Sequence, residues 1–331
     1  MSHAPYVVIG SNCFTGSHFV DALLEDPRHV VVGISRSPEP GALYLPYKTR
    51  ASRNFEFYQV DLVRQAEVLQ HLLDELQPAV VINVAALSEV ALSNTSPTEY
   101  FQTNTVGVVQ LCDFLRTRTY LKRYVHISSA EVYGSCDRPV AESEPVRPST
   151  PYAVSKAAAD LYLQTLVRTF HFPAIIVRST NVYGKHQQLF KIVPRTIIHI
   201  KQGKRIPLHG GGKAQKSFIH IRDVVRGALM ALERGTPGAI YHFSVPSELT
   251  IADVVRRIGE LMGRSFDEIA EPVTERLGQD ARYWLDCTKA RQELGWAPQV
   301  AFDDGLREVI EWIERSWEEI AHEPMVYVHK V

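Results

Sequence analysis

Residues 6 to 35 read YVVIGSNCFTGSHFVDALLEDPRHVVVGIS, a run that parses as strand, glycine turn, helix, strand. Gly10 and Gly16 bracket the turn, which starts a βαβ unit and aims helix N-terminal amides at a pyrophosphate. The spacing is that of a GxxGxxG loop with Cys13 in the central place. Glycine there lets the backbone approach phosphates, so the thiol must point away or displace the ligand. Gly10, Asn12, Cys13, Phe14, Thr15 and Gly16 are the candidate dinucleotide cradle.

Outward from this unit, strands and helices alternate. The second strand ends in GISRS, where Ser35 and Arg36 stand in place of the Asp or Glu that accepts hydrogen bonds from an NAD ribose. A hydroxyl and a guanidinium suit a 2′-phosphate, so NADP is favoured, with NAD as the alternative. Residues 37 to 54, carrying Pro38, Pro40, Gly41 and Pro46, read as a long irregular connection. FEFYQVDL (Phe55 to Leu62) is the next strand, with Asp61 and Leu62 at its end facing the adenine. A helix over about 65 to 76 precedes PAVVINVAAL, an apolar strand of the buried parallel type. It ends in small residues, Ala85 and Ala86, where a cofactor lies close to the backbone, and Ser88 and Glu89 then overlook the same cleft. A helix over about 98 to 117 leads to the next strand. The pattern predicts an α/β fold with a doubly wound parallel sheet of the Rossmann type, whose ligands sit at the strands' carboxyl ends. Ser35, Asp61, Asn83 and Ser129 all fall at such ends.

The strand YVHI opens into HISSAEVYG (His126 to Gly134), a polar loop with prolines, and PYAVSK (Pro151 to Lys156). Tyr152 and Lys156 are four apart at the start of a helix, stacking on one face with Cβ atoms roughly 5–6 Å apart. An ammonium that close favours the phenolate, which makes Tyr152 a candidate proton acceptor and Lys156 its activator. Ser129 and Glu131 place a hydroxyl and a second carboxylate beside them.

The alternation becomes less regular after FPAIIVRSTNVYG. KIVPRTIIHIKQGKRI reads as a helix, SFIHIRDVVRGALMALERG as a short strand and helix, and AIYHFSV as a strand. TIADVVRRIGELMG is amphipathic, with Ile251, Val254, Val255, Ile258 and Leu261 at helical spacing for a core. A final helix over about 304 to 319 carries Trp312 and Trp317 as packing residues. The expected division is a dinucleotide-binding domain over 1–180, with a return segment near 215–243, and a smaller substrate-binding lobe over 181–331.

The chain has 331 residues, 36 basic and 37 acidic, net −1, which gives no general attraction to nucleic acid or anionic membrane. No apolar run approaches bilayer length, and the start runs directly into a strand, so a cytoplasmic protein without a signal peptide is expected. The four cysteines are widely spaced and the thirteen histidines form no HExxH, so free thiols and no metal are expected.

These motifs together resemble the extended short-chain dehydrogenase/reductase family, and within it the nucleotide-sugar 4,6-dehydratases, from Gly10 to about Trp312. HISSAEVYG and YAVSK are similar to the catalytic segments, and RSTNVYG (Arg178 to Gly184) and KIVP (Lys191 to Pro194) to the substrate-binding ones. GGGKAQKSFIHIRDV (Gly210 to Val224) resembles the diphosphate grip. RLGQDARYWLD (Arg276 to Asp286) looks like the RPGHDxRY signature of dTDP-glucose-type dehydratases. The resemblance implies that Tyr152 takes the carbon-4 hydroxyl proton, with Lys156 lowering its pKa and holding the nicotinamide ribose. It also implies that Ser129 hydrogen-bonds the same oxygen and Glu131 removes the carbon-5 proton. Ser88, Glu89, Ser129 and Ala130 would line the sugar site, while Asn181, Lys191, Lys216 and Arg282 would meet the diphosphate. It implies a homodimer formed through the helices near 98–117 and Tyr152, and a nucleotide-diphosphate sugar as substrate.

Two departures stand out. Ala130 occupies the place of the Asp that protonates the departing hydroxyl, so Glu131 serves as base and then acid, or Glu89, where the family has His, substitutes. Lys216 replaces an Arg, exchanging a bidentate fork for a point charge. The alternatives are a 4-epimerase or a UDP-glucuronate decarboxylase of the same fold, and, in another class, a non-catalytic NADP-sensing protein. Epimerisation has no use for a carbon-5 base, so Glu131 favours dehydration.

Overall fold

A computed structural model describes residues 4–50, 54–246, 249–274 and 282–326. Its frame is a seven-stranded sheet. The first strand is β1 (Tyr6–Ile9), followed by β2 (Val31–Ser35), β3 (Phe55–Gln59), β4 (Val80–Asn83), β5 (Arg123–Ile127) and β6 (Ala174–Ser179), with Ile240–Phe243 as the seventh. The spatial order runs Ile240–Phe243, β6, β5, β4, β1, β2, β3. Every pairing in it is parallel. The winding reverses between β1 and β4, which opens a crevice at the carboxyl ends where ligands of such sheets bind.

β1, β2, β4 and β6 are rich in Val and Ile because helices cover both faces. Val7, Val8, Val81 and Ile82 are fully buried. One face packs α1 (Phe14–Leu23) and the helix Ile221–Arg234 around Phe19, Val224 and Trp296. The other packs the helices Ala66–Leu76, Gly107–Leu115 and Pro151–Phe170 around Leu73, Leu111 and Leu163. A third core unites the helices Ile192–Lys201, Ile251–Leu261 and Phe302–Arg315, and forms the lobe over the carboxyl edge. In Ile251–Leu261, Val254, Val255 and Ile258 are fully buried, and Thr250 and Asp253 cap the N-terminus reciprocally.

Several local expectations change. The helix expected over 98–117 runs over 97–115, with helical dihedrals at the junctions and one wide turn at Gln102–Val106. Asn104 in the wide turn accepts from the Leu87 amide at 2.8 Å and donates to the Leu87 carbonyl at 3.0 Å and Ser155 Oγ at 3.0 Å, which ties the turn to both neighbours. The helix after Lys191 ends at Lys201. Gly203 then turns the chain at φ +66, and Ile206–His209 is a strand paired with Ala270–Val273. The connection after β2 is partly ordered, because Leu45 and Tyr47 are buried near α1. The last helix spans Phe302–Arg315, with Trp312 in the lobe core, and a separate turn, Trp317–Ile320, places Trp317 under Lys201. Among the described residues no helix is long and apolar enough to cross a membrane.

Candidate active site

The turn after β1 explains both glycines. Gly10 has φ +89, and a Cβ on it would stand 2.6 Å from the Ala85 amide, so the end of β4 can close on this turn only over a glycine. A Cβ on Gly16 would collide with the Gly10 carbonyl, so α1 reaches the turn for the same reason. The Cys13 thiol is engaged by the turn itself. Its Sγ folds back to accept from the Gly16 amide at 3.2 Å and caps α1, while burial pushes the thiol pKa up. The first-turn amides of α1 have no acceptor within the helix, as at any helix start, and they border the crevice.

A cavity of about 580 Å³ lies along this turn. It is lined by Gly10, Asn12, Cys13, Phe14, Ser35, Arg36, Asp61, Leu62, Ala85 and Ala86, so ten of the predicted cofactor residues converge on it. Thr15 and Gly16 sit behind the lining. The lobe adds His186 and Phe190, and Tyr44 and Glu323 join by a 2.9 Å hydrogen bond across 279 residues. These four were not predicted, because no local pattern marks them. The glycine-lined turn, the helix N-terminus and the size of the cavity fit an elongated dinucleotide.

Two residues expected to meet the cofactor point elsewhere. The Ser35 hydroxyl turns inward, accepting from the Asn12 amide at 3.0 Å. Asn12 itself donates through Nδ2 to the Ser37 and Pro38 carbonyls. Of the pair proposed for a 2′-phosphate, Arg36 alone stays exposed. Asp61 accepts from the Val63 and Arg64 amides at 2.8 Å each and caps the turn after β3.

The chemical edge forms where β5 ends. Ser129 closes the strand and its Oγ accepts from the Glu131 amide at 3.1 Å, which places Glu131 on the short turn Ala130–Tyr133. Thr150 caps the next helix by accepting from the Ala153 amide, so Tyr152 sits in its first turn. Tyr152 is buried, with Tyr100 edge-on at 6.4 Å. Burial raises its pKa most, Glu131 and Glu89 raise it further, and a hydrogen bond with Ser129 lowers it. Ser129, Glu131, Glu89 and Tyr152 therefore share one small volume.

Lys156 departs from the expected pairing. Its Nζ donates to the Ile127 carbonyl at 2.7 Å and lies 3.3 Å from His126 Nε2, so the ammonium is drawn toward β5. Burial lowers its pKa to about 8. Lys191 likewise is not open to a phosphate: it forms an ion pair with Glu89, which joins the candidate acid to a candidate anion-binding residue. Ser88 is exposed at the rim.

On the lobe side, Asn181 begins a strand paired with Phe218–His220, and its amide donates to the Ser217 carbonyl, one residue from Lys216. Gln215 bridges to Arg282. Lys216 rests on the Tyr283 ring at 3.8 Å and Arg282 on the Trp284 ring at 4.0 Å. Asn181, Lys216 and Arg282 are thus gathered by short pairings. The start of the discriminating segment, residues 276 to 281, lies outside the described residues.

Comparison with known proteins agrees with this architecture. The family model described as GDP-mannose 4,6 dehydratase matches residues 7–309. A dTDP-glucose 4,6-dehydratase of Haemophilus influenzae is 30% identical, covering 92% of this chain and 96% of its own. A Streptomyces venezuelae dTDP-glucose 4,6-dehydratase, solved with NAD bound, superposes with TM-score 0.87 at 31% identity, over 95% of this chain and 98% of that one. A Thermotoga maritima UDP-glucose 4-epimerase, solved with UDP-glucose, reaches TM-score 0.86 at 25% identity over 95% and 99%. The chain belongs to the GDP-mannose 4,6-dehydratase family, the nucleotide-sugar dehydratases of the extended short-chain dehydrogenase/reductase class.

Proposed function

We propose that this protein dehydrates a nucleotide-diphosphate hexose, of glucose or N-acetylglucosamine type, to the 4-keto-6-deoxy sugar, with NAD as the favoured resident cofactor. The observation that carries the reading is Glu131 beside Ser129 and Tyr152. Reversible oxidation at one carbon needs only the phenol and the hydroxyl. A second carboxylate in the same volume is suited to a proton on the neighbouring carbon. The epimerase neighbour is almost as similar in fold, so the side chains, not the fold, favour dehydration.

Held along the cavity by Gly10, Ala85 and Ala86, a nicotinamide cofactor would supply the hydride acceptor for sugar carbon 4 and the hydride donor for carbon 6. Tyr152 takes the proton of the carbon-4 hydroxyl while Ser129 hydrogen-bonds that oxygen. The resulting ketone acidifies carbon 5, and Glu131 removes its proton. The carbon-6 hydroxyl departs as water with a proton from Glu131, because Ala130 has none to give and the Glu89 carboxylate is engaged by Lys191. Carbon 5 then takes a proton from solvent, which is balanced by the carbon-4 hydroxyl proton that Tyr152 releases to solvent. Asn181, Lys216 and Arg282 would hold the diphosphate, with Lys191 joining once the ligand competes for it. NAD rather than NADP is supported by the NAD-bound neighbour and by the inward turn of Ser35, which leaves Arg36 alone for a 2′-phosphate. The exposed Val154, Leu161 and Phe170 on the helix Pro151–Phe170 fit the homodimer expected there.

The test is incubation of the protein with NAD and UDP-, dTDP- and GDP-hexoses. Loss of one water and the alkaline absorbance of a 4-keto sugar are expected. Unchanged mass with an inverted stereocentre would make it an epimerase, loss of carbon dioxide from a uronate a decarboxylase, and bound cofactor without turnover a sensor.

A further inference from the structure

Behind Tyr152 lies a buried polar chain that the steps above do not use. Lys156 contacts the Ile127 carbonyl and His126 Nε2. His126 Nε2 is 3.9 Å from Asp160 Oδ1, and the other Asp160 oxygen accepts from Ser128 Oγ at 2.8 Å and Arg178 Nε at 2.9 Å. Arg178 donates to the Tyr133 hydroxyl, which meets His242 Nε2 at 2.8 Å. None of Lys156, His126, Asp160, Arg178 and His242 is more than 1% exposed.

The charges in this volume decide its state. Two cations, Lys156 and Arg178, face one carboxylate, Asp160. His126 is pushed well below the usual histidine range by burial, then by Lys156 and Arg178, so its ring is neutral. A neutral ring 3.3 Å from an ammonium presents a lone pair at Nε2 and carries its proton on Nδ1. Nδ1 has no hydrogen-bond partner, nor has Asp160 Oδ1. Buried polar atoms without a partner are costly and uncommon. Of the three Lys156 donors, two are engaged by β5, leaving one for a ligand.

We propose that His126 and Asp160 are positioning residues for the reaction: they keep the Lys156 ammonium charged and fixed behind Tyr152, so that a positive charge is in place when the tyrosine gives up its proton. The inference rests on the catalytic reading of Tyr152 and Lys156 above. Burial alone disfavours the ammonium, and Asp160 is the group that opposes burial. Arg178 on β6, a like charge, is itself paired with that carboxylate. Glu131 and Glu89 act on Tyr152 from the cleft side. A lysine is charged below its pKa, so activity that needs the ammonium falls as pH rises through about 8. Removing Asp160 moves that fall to lower pH.

The experiment pairs a titration of the protein labelled with ¹³C at lysine Cε with the pH profile of kcat, for the wild type, Asp160→Asn, His126→Leu and His126→Gln. In Asp160→Asn both the Lys156 resonance and the alkaline limb of kcat are expected to move down by about one pH unit or more. KM for the nucleotide sugar stays within about twofold, as expected of a group acting on the chemical step. His126→Leu moves both in the same direction, and His126→Gln, which returns an acceptor where Nε2 stood, restores them. If Asp160→Asn does not fold with Arg178 unpaired, the two His126 variants decide. Folded variants that keep the wild-type Lys156 titration and alkaline limb would overturn the proposal. A Lys156 titration that moves as stated in a protein turning over no nucleotide sugar would uphold the positioning role and break the dehydratase reading instead.

Discussion

The cofactor edge of the cleft is built around the turn from Ile9 to Phe14, with the residues that end β2, β3 and β4 and a wall supplied by the lobe. The sugar edge gathers Glu89, Ser129, Glu131, Tyr152 and Lys191 from four separate connections. On the first edge the side chains of Cys13, Asn12 and Ser35 use hydrogen bonds to hold the backbone's shape. On the second, side-chain charge is the working material, and Lys191 and Glu89 pair with each other. The contrast teaches that substitutions should act differently on the two edges: steric changes should damage the first, and charge or proton changes the second.

The strongest way to break the contrast is Tyr152→Phe, which deletes one oxygen and leaves the packing. A loss of about 10²–10⁴-fold in kcat is expected, with cofactor binding preserved, as read by turnover and by NAD titration. Retained turnover would mean that the sugar edge does not work through its protons. Gly16→Ala is the converse probe. The added methyl must push α1 from the Gly10 carbonyl, and overpacking of this kind costs about 1–3 kcal/mol. A lower thermal midpoint and at least about tenfold weaker NAD binding are expected, checked by thermal unfolding with and without NAD.

Glu89→Gln sharpens the division within the sugar edge. It releases Lys191, so KM for the nucleotide sugar should change a few-fold while elimination slows by less than about tenfold. A loss of about 100-fold in elimination, measured by single-turnover release of water, would move the acid from Glu131 to Glu89. The smallest effect is expected from Arg36→Ala. Exposed and facing the cavity, it should alter the NADP-to-NAD affinity ratio by a few-fold, within about 1 kcal/mol, as measured by calorimetry.

Much of the fold was legible because period and punctuation are local. Runs rich in Val and Ile marked β1, β2, β4 and β6, and Gly10 and Gly16 marked the tight turn whose close approaches require them. Ten residues of the cavity lining were legible for a related reason: ligands of a doubly wound sheet sit where strands end, and strand ends can be read from the chain. The wide turn at Gln102–Val106 within its helix was not, since it depends on Asn104 finding Leu87 and Ser155 after folding. Tyr44 and Glu323, 279 residues apart, share the cavity wall only because the lobe closes over the sheet.

The stretch from His126 to Lys156 holds both kinds of information. The sequence by itself determined that a strand end, a hydroxyl, a carboxylate, a phenol and an ammonium would lie within one supersecondary unit, because their spacing along strand and helix leaves little else. Tertiary structure decided which way the charges face. Lys156 turns to Ile127 and His126 rather than simply to the phenol four residues earlier, and Lys191 turns to Glu89 rather than standing open for a phosphate. A charge leaving water takes the partners that desolvation leaves within reach, and those partners come from other segments of the chain.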